Sequence, residues 1–599
     1  MAVRSRPLGE GAPPGTGKSP VHPLGLSSRP GLWTPPHASV QNGAPMLTAV
    51  LALALAAAPP ARTSPTAERA ITADSIRAHV RFLASDLLEG RGPGTRGDAL
   101  AQAYIAAQLE ALGLQPAGPQ GFFQPFDIVG VDGHAGVIQF TRGRESLTLR
   151  HPDEVIAVAG DDAAHTALDG AELVFVGYGI RAPEYAWDDF KGQDLRGKVL
   201  LILNSDPEDD PALFAGRTRL WYGRWDYKYE MAARVGAAGA IILHTTHSAG
   251  YPWQVVRSSW TGPQYSVPST DRRVPVRGWV TEDACRKLVA LAGRNLEELI
   301  RSANRREFRP VPLGIGVRTD FDSRVERTRT ANVLGILPGT DPRLSSEVVL
   351  YTAHHDHLGM RTGAAPGEDA IFNGAEDNAS GVALMLAVAR AYAALPQAPR
   401  RSILFAAVAA EEQGLLGSEF LARHPPVPLG RIAVDINIDG ANVFGRTRDV
   451  TVIGMGKTDL DLTLRTLAGK QGRVLRGDQL PDRGYFYRSD QFSFARAGVP
   501  SAYFESGLDY RGRPPGWGRE KREAWEETRY HQPSDELTPD WDLSGAVEDA
   551  RLQFALGYSV AQATALPAWT RGDEFEAPRL RSLDALRQPS PGASPASAH

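Results

Sequence analysis

Five stretches of this 599-residue sequence carry residues able to bind a metal or move a proton. AHHDHLG places His354 and Asp356 two residues apart, on the same side of an extended segment. A metal-bound histidine commonly gives its second ring N–H to a carboxylate, and Asp356 is placed to be that carboxylate. NGAEDNASG carries Asp377 in a turn. AAEEQGLLGS carries the adjacent pair Glu411 and Glu412, which point opposite ways in an extended segment. One of the pair can then hold a metal while the other addresses a bound water. Further on, Asp439 lies in NIDG and His531 in YHQPSDE. Imidazole and carboxylate ligands without thiolate suit zinc, manganese or cobalt. Two histidines and three carboxylates exceed one tetrahedral catalytic zinc. They fit two ions about 3.5–4 Å apart that share a bridging carboxylate. Each piece alone has a plainer reading: a surface His-x-Asp, a helix cap or turn at Asp377, a solvated helix start at Glu411 and Glu412.

The surrounding elements favour the chemistry. VVLYTA before His354, SILFAAVAA before Glu411 and IAVDINID ending at Asp439 read as buried strands, and open α/β sheets place their sites at the carboxyl ends of such strands. SGVALMLAVARAYAAL, QGLLGSEFLARH and DLDLTLRTLAGKQG read as helices between them, with Ser380 a candidate cap. This alternation predicts a mixed, mostly parallel sheet flanked by helices over 316–565. Two helices over about 71–113 precede it, with Asp74 as a candidate N-cap and Gly113 as the stop; residues 66–129 count as the first part of the same domain. Between them, 130–315 reads as a smaller, mainly β domain with aromatic loops such as RLWYGRWDYKYE, expected to serve packing.

Composition narrows the function. A net charge of −4 argues against a nucleic-acid or membrane-surface binder. The single cysteine, Cys285, rules out an internal disulfide and a cysteine-based zinc cluster; it sits on the apolar side of an expected helix. Residues 1–65 read as a disordered leader and signal peptide, with the apolar run from Met46 to about residue 60 short for a membrane span. Export, secreted or periplasmic, is the expectation, with no other segment able to cross a membrane. Residues 566–599 read as a disordered tail.

Taken together, AHHDHLG, NGAEDNASG, AAEEQGLLGS, NIDG and YHQPSDE resemble the co-catalytic zinc peptidase family of metallopeptidase clan H. That family includes secreted bacterial aminopeptidases, glutamate carboxypeptidases and the catalytically dead transferrin receptor. SDQFSFARAGVPSAYFESG and GLDYRGRPPGWG are similar to the subgroup with an inserted protease-associated domain, which would be 130–315. The resemblance implies two Zn²⁺ per chain, with Mn²⁺ or Co²⁺ as alternatives. It implies that Asp377 bridges them, that His354 and Asp439 complete one site, and that Glu412 and His531 complete the other. It further implies that Glu411 is the general base, that Asp356 partners His354, that Tyr530 polarises the scissile carbonyl, and that the Asp377–Asn378 peptide is cis. Two positions depart from the family: Gly440, where methionine is more usual, and Gln491, where histidine often stands. The implied activity is removal of N-terminal residues from peptide substrates. Competing readings are a carboxypeptidase or dipeptidase, for which Arg483, Arg488 and Arg511 near the site loops would hold substrate carboxylates, a one-metal glutaminyl cyclase, and an inactive receptor-like protein.

Overall fold

A computed structural model describes residues 61–208, 213–216, 218–269, 271–361 and 363–587. The apolar run from Met46 lies outside them, as does the end of the tail, 588–599.

The sheet that carries the candidate ligands is mixed. Its centre is four parallel strands in the order Ser402–Val408, Val348–His354, Ile432–Asn437 and Ser501–Ser506. Antiparallel strands flank it: Arg324–Leu337 and Phe123–Asp132 on one side, Asp449–Ile453 on the other, with Val474–Gly477 parallel at the far edge. The sheet is thus mixed, as expected, with its parallel pairs in the centre and at the far edge. Val348–His354 and Ser402–Val408 are buried along their whole length, because helices cover both faces. Their side chains alternate between two cores. Val349, Tyr351, Ala353, Ile403, Phe405 and Ala407 face helices Gly381–Ala393 and Ser544–Gln562. Val348, Leu350, Leu404 and Ala406 face Leu421 and Phe494. Helix Gly381–Ala393 is buried nearly all round, which explains its unbroken apolar sequence.

Local capping corrects two expectations. Helix Ala73–Leu83 is capped by Thr72, whose side chain accepts from Ser75 N, and not by Asp74. Ser380 has helical dihedrals and donates to the Glu376 carbonyl, so it caps nothing.

A second, eight-stranded sheet is built between Val137 and Asp322, with helices Trp225–Arg234, Glu282–Leu291 and Leu296–Ala303 and its own core. The long antiparallel ribbon of Phe123–Asp132 with Arg324–Leu337 leads out to it and back. Strand Gln264–Ser266 returns to pair with Phe123–Asp132 and extends the first sheet. Cys285 is fully buried in helix Glu282–Leu291.

Where disorder was expected from 566, the chain instead packs as far as 587. Trp569 and Phe575 are buried, Trp569 Nε1 donates to the Gly498 carbonyl, and Glu576–Ala585 is helical. Two aromatics bury too much apolar surface to leave in water, even in a stretch of polar composition. No helix among the described residues is long and apolar enough to cross a membrane.

Candidate metal centre

At the carboxyl edge of the parallel strands the expected residues converge. His354 is the last residue of its strand, and Asp439 follows Ile432–Asn437 after one residue. Glu411 and Glu412 follow Ser402–Val408, and Asp377 lies, with non-helical dihedrals, in the irregular turn Ala375–Ser380 that leads into helix Gly381–Ala393. His531 comes from a loop after helix Trp517–Thr528 and has a positive φ of 56°. The Asp377–Asn378 peptide is cis.

The geometry has two halves that share one carboxylate. Asp377 Oδ1 lies 3.2 Å from His354 Nε2, and Asp377 Oδ2 lies 3.5 Å from His531 Nε2. In one half, His354 Nε2 is also 3.2 Å from Asp439 Oδ1. In the other, His531 Nε2 is 2.9 Å from Glu412 Oε2. The ligand atoms of His354, Asp377 and Glu412 all fall within 4.8 Å of one another. One imidazole N–H cannot point at two carboxylate oxygens, so the doubled contacts at each Nε2 suit a cation lying among them. All five residues meet a metal's donor requirements, without thiolate.

Charge supports the same fit. Asp356, Asp377, Glu411, Glu412 and Asp439 crowd a largely buried space. Burial works against charge on His531, yet Glu412 and Asp377 outweigh it and raise that imidazole to about 10. His354 is likewise raised well above the ordinary range, burial being overcome by Glu411 and Asp439. Burial opposes ionisation of Glu412, but His531 holds it down to about 2; Asp377 is held well below its usual range by its two imidazoles, again against burial. Glu411 is pushed up strongly by burial, with Glu412 and Asp439 adding repulsion. The cluster therefore demands positive charge, and divalent cations at the same atoms would supply it.

Asp356 faces His354, but its Oδ1 is 3.8 Å from Nδ1, too long for a hydrogen bond. It accepts instead from the backbone N–H of Glu411 at 3.0 Å and of Glu412 at 3.4 Å, which aims both glutamates. Tyr530 lies stacked on His531, with ring centroids 3.9 Å apart.

Several further residues support the cluster without a motif to mark them. His357 bonds through Nδ1 to Glu412 Oε1 at 2.6 Å. The strand ends at His354, so strict alternation no longer holds three residues later. His355 turns to Asp98 at 3.0 Å. Asp535 accepts from the Glu376 and Asp377 N–H groups, at 3.1 Å each, and fixes the turn that presents Asp377. Ser489 donates to Asp439 Oδ2 at 2.6 Å. Arg91 is buried beneath the site and donates to the carbonyls of His355, Asn373 and Gly374. The family departures have local reasons. Gly440 has φ +84°, and a Cβ there would come 2.8 Å from Glu376 Oε1. Gln491 is buried, accepting from Asn437 and donating to the Phe486 carbonyl.

Two cavities of about 490 and 430 Å³ open from the cluster and share Tyr251, Val255, Glu411, Arg488 and Tyr530 as walls. The first is lined by Trp221, Trp225, Trp260 and Phe492, the second by Glu376, Asp439, Tyr503 and Arg522. Aromatics of the second sheet's region, Trp221, Trp225 and Trp260, thus line the first cavity beside Glu411. Trp221 also packs on Phe492 across the two sheets' domains, centroids 4.7 Å apart.

Residues 332–555 match the model described as Peptidase family M28. Aminopeptidase NAALADL1 of Mus musculus is 34% identical over 137 residues, covering 21% of this chain and 16% of that protein. A probable zinc metalloprotease of Pyricularia oryzae is 33% identical over 148 residues, 24% of this chain and 25% of that protein. The chain thus spans a quarter or less of the length of these relatives. Among solved structures, an aminopeptidase from Aneurinibacillus sp. strain AM-1 is similar in fold, with a TM-score of 0.50 and 20% identity, covering 84% of this chain and 97% of that one.

Proposed function

Residues 332–555 belong to peptidase family M28, and from that premise we propose that the protein is a metal-dependent exopeptidase that removes N-terminal residues from peptides. The observation that carries this reading is the placement of Asp377 between the His354 and His531 imidazoles, with Glu411 beside them at the junction of two cavities. His354 and Asp439 would hold one divalent cation, Glu412 and His531 a second, and Asp377 both. Zinc fits the donor set, with manganese or cobalt as alternatives. Bound there, the cations supply Lewis acidity, which acidifies water and polarises a carbonyl.

The chain's own groups do the rest. Glu411 takes one proton from the attacking water as its oxygen bonds to the scissile carbonyl carbon. Tyr530 donates to the carbonyl oxygen as negative charge develops there. When the C–N bond breaks, Glu411 passes the proton to the leaving amine. Asp356 keeps Glu411 aimed through the backbone N–H it accepts. A wall of Trp221, Tyr251 and Trp260 lies beside Glu411 in the first cavity, a surface against which a peptide end could seat. The NAALADL1 relative, an aminopeptidase by name, supports the amino-terminal direction. The second sheet is proposed to be a protease-associated domain, and the apolar run from Met46 to direct export.

The test is hydrolysis of a panel of aminoacyl, dipeptidyl and C-terminal substrates, with and without chelator, by protein beginning near residue 61. Chelator-sensitive release of N-terminal residues is expected. Release only from C-terminal substrates would reassign the direction, and chelator-insensitive cleavage would refute the metal mechanism.

A further inference from the structure

Arg488 stands where the two cavities meet and lines both. The other arginines of the second cavity are neutralised: Arg483 pairs with Glu526, and Arg522 lies 3.1 Å from Glu526 and 3.9 Å from Glu505. Arg488 differs. Its Nη2 donates to Tyr530 Oη at 3.0 Å, and its guanidinium lies 5.4 Å from the Tyr485 ring and 6.0 Å from the Tyr530 ring. Its electrostatic neighbours include the phenols of Tyr530, Tyr485 and Tyr251, together with the buried guanidinium groups of Arg219 and Arg224. Among the described residues no carboxylate forms an ion pair with Arg488, so its charge is not neutralised by a direct partner although Glu411 lines the same cavities.

The direction of that bond matters. A guanidinium has five N–H donors and no acceptor, so Tyr530 Oη must accept from it. The phenol's own hydrogen must then turn elsewhere. The ring cannot follow Arg488, because it is stacked on His531 and tilted against Trp525 at 5.6 Å. With the ring held and one side of the oxygen occupied, the O–H is left facing the cavity. We propose that Arg488 is a positioning residue that holds Tyr530 as an obligate hydrogen-bond donor to the carbonyl oxygen of the bound peptide, and that its charge strengthens this donor as the oxygen turns anionic. The proposal rests on the hydrolytic reading above. Bonds that involve a charged partner are about twice as strong as neutral ones, so the benefit is largest in the transition state.

The experiment is a double-mutant cycle on the metal-loaded full chain with an aminoacyl substrate. Arg488→Met should lower kcat by roughly 10- to 100-fold while KM stays within about twofold and bound metal is unchanged. Tyr530→Phe should lower kcat similarly. The double variant should be no slower than Tyr530→Phe alone, within about twofold, because Arg488 acts through that hydroxyl. Arg488→Lys, which restores one donor, should recover part of kcat. Three results would overturn the proposal: additive losses in the double variant, a raised KM with unchanged kcat, which would make Arg488 an anchor for a substrate carboxylate, or loss of metal in Arg488→Lys as well as Arg488→Met, which would make its role structural. These outcomes leave the hydrolytic reading standing. Absence of chelator-sensitive hydrolysis in the wild-type protein would overturn both.

Discussion

Replacing Asp535 with alanine should weaken metal binding although Asp535 touches none of the candidate ligand atoms. Its buried carboxylate accepts from the N–H groups of Glu376 and Asp377 at 3.1 Å, and so sets where the Asp377 carboxylate points. Asp535→Ala leaves both N–H groups buried without their charged acceptor. Bonds to a charged group are worth about 1.5–3 kcal/mol each, and the two share one carboxylate, so roughly 2–4 kcal/mol of folding stability should be lost. The Ala375 N–H keeps its bond, because it goes to the backbone carbonyl of residue 535. Loss of such an outer partner typically lowers metal affinity by about 10- to 100-fold. Asp535→Asn keeps one acceptor oxygen and should fall between. Urea unfolding of metal-depleted protein gives the first quantity, and competition with a chelating dye gives the second. A folded Asp535→Ala protein with metal affinity within about twofold of wild type would refute the claim that this carboxylate positions Asp377.

Acid should destabilise the fold through two buried histidines. Burial lowers His79 to about 4, with Arg390 adding to the effect, and burial lowers His244 to about 4 against its bond to the Tyr251 carbonyl. Both imidazoles bind protons more readily when unfolded, so their contribution is complete above pH 6.5 and is lost as pH falls towards 4, up to roughly 3 kcal/mol each. The stability difference between wild type and His244→Gln should therefore change over that window, and a pH-independent difference would contradict the assignment. Cys285 should not react in the folded protein, since burial pushes its thiol up to about 12; inactivation of native protein by an alkylating reagent would refute this. Trp221→Ala should raise KM for peptides by about two- to tenfold, the worth of an aromatic contact, with little change in kcat; an unchanged KM would remove Trp221 from the substrate wall.

The sequence exposes the ligand cluster because strand ends are local features. His354, Glu412 and Asp439 each close an apolar run, and the structure brings them together with Asp377 and His531. Their partners are less visible. The link from Asp535 to Asp377 runs through backbone N–H groups, which carry no residue code. His357 returns to Glu412 because its strand has already ended, so a two-residue period misplaces it. Arg91 sits in GRGPGTRG, which reads as a turn, yet its guanidinium ties the His355 and Gly374 carbonyls together over a long sequence separation. The aromatic wall was equally hidden. Spacing marks Trp221 and Trp260 as apolar, but the lean of one sheet's domain over the other is a tertiary property.

The central claim is that five residues hold metal while a sixth moves the proton, and Glu411→Gln separates the two. Metal content and turnover should be measured on the same preparation. The account predicts two equivalents of divalent metal per chain, as in wild type, with kcat lowered on the order of 10²- to 10⁴-fold, the usual worth of a general base. Near-normal turnover in Glu411→Gln, or a wild-type protein that binds no stoichiometric metal, would contradict it.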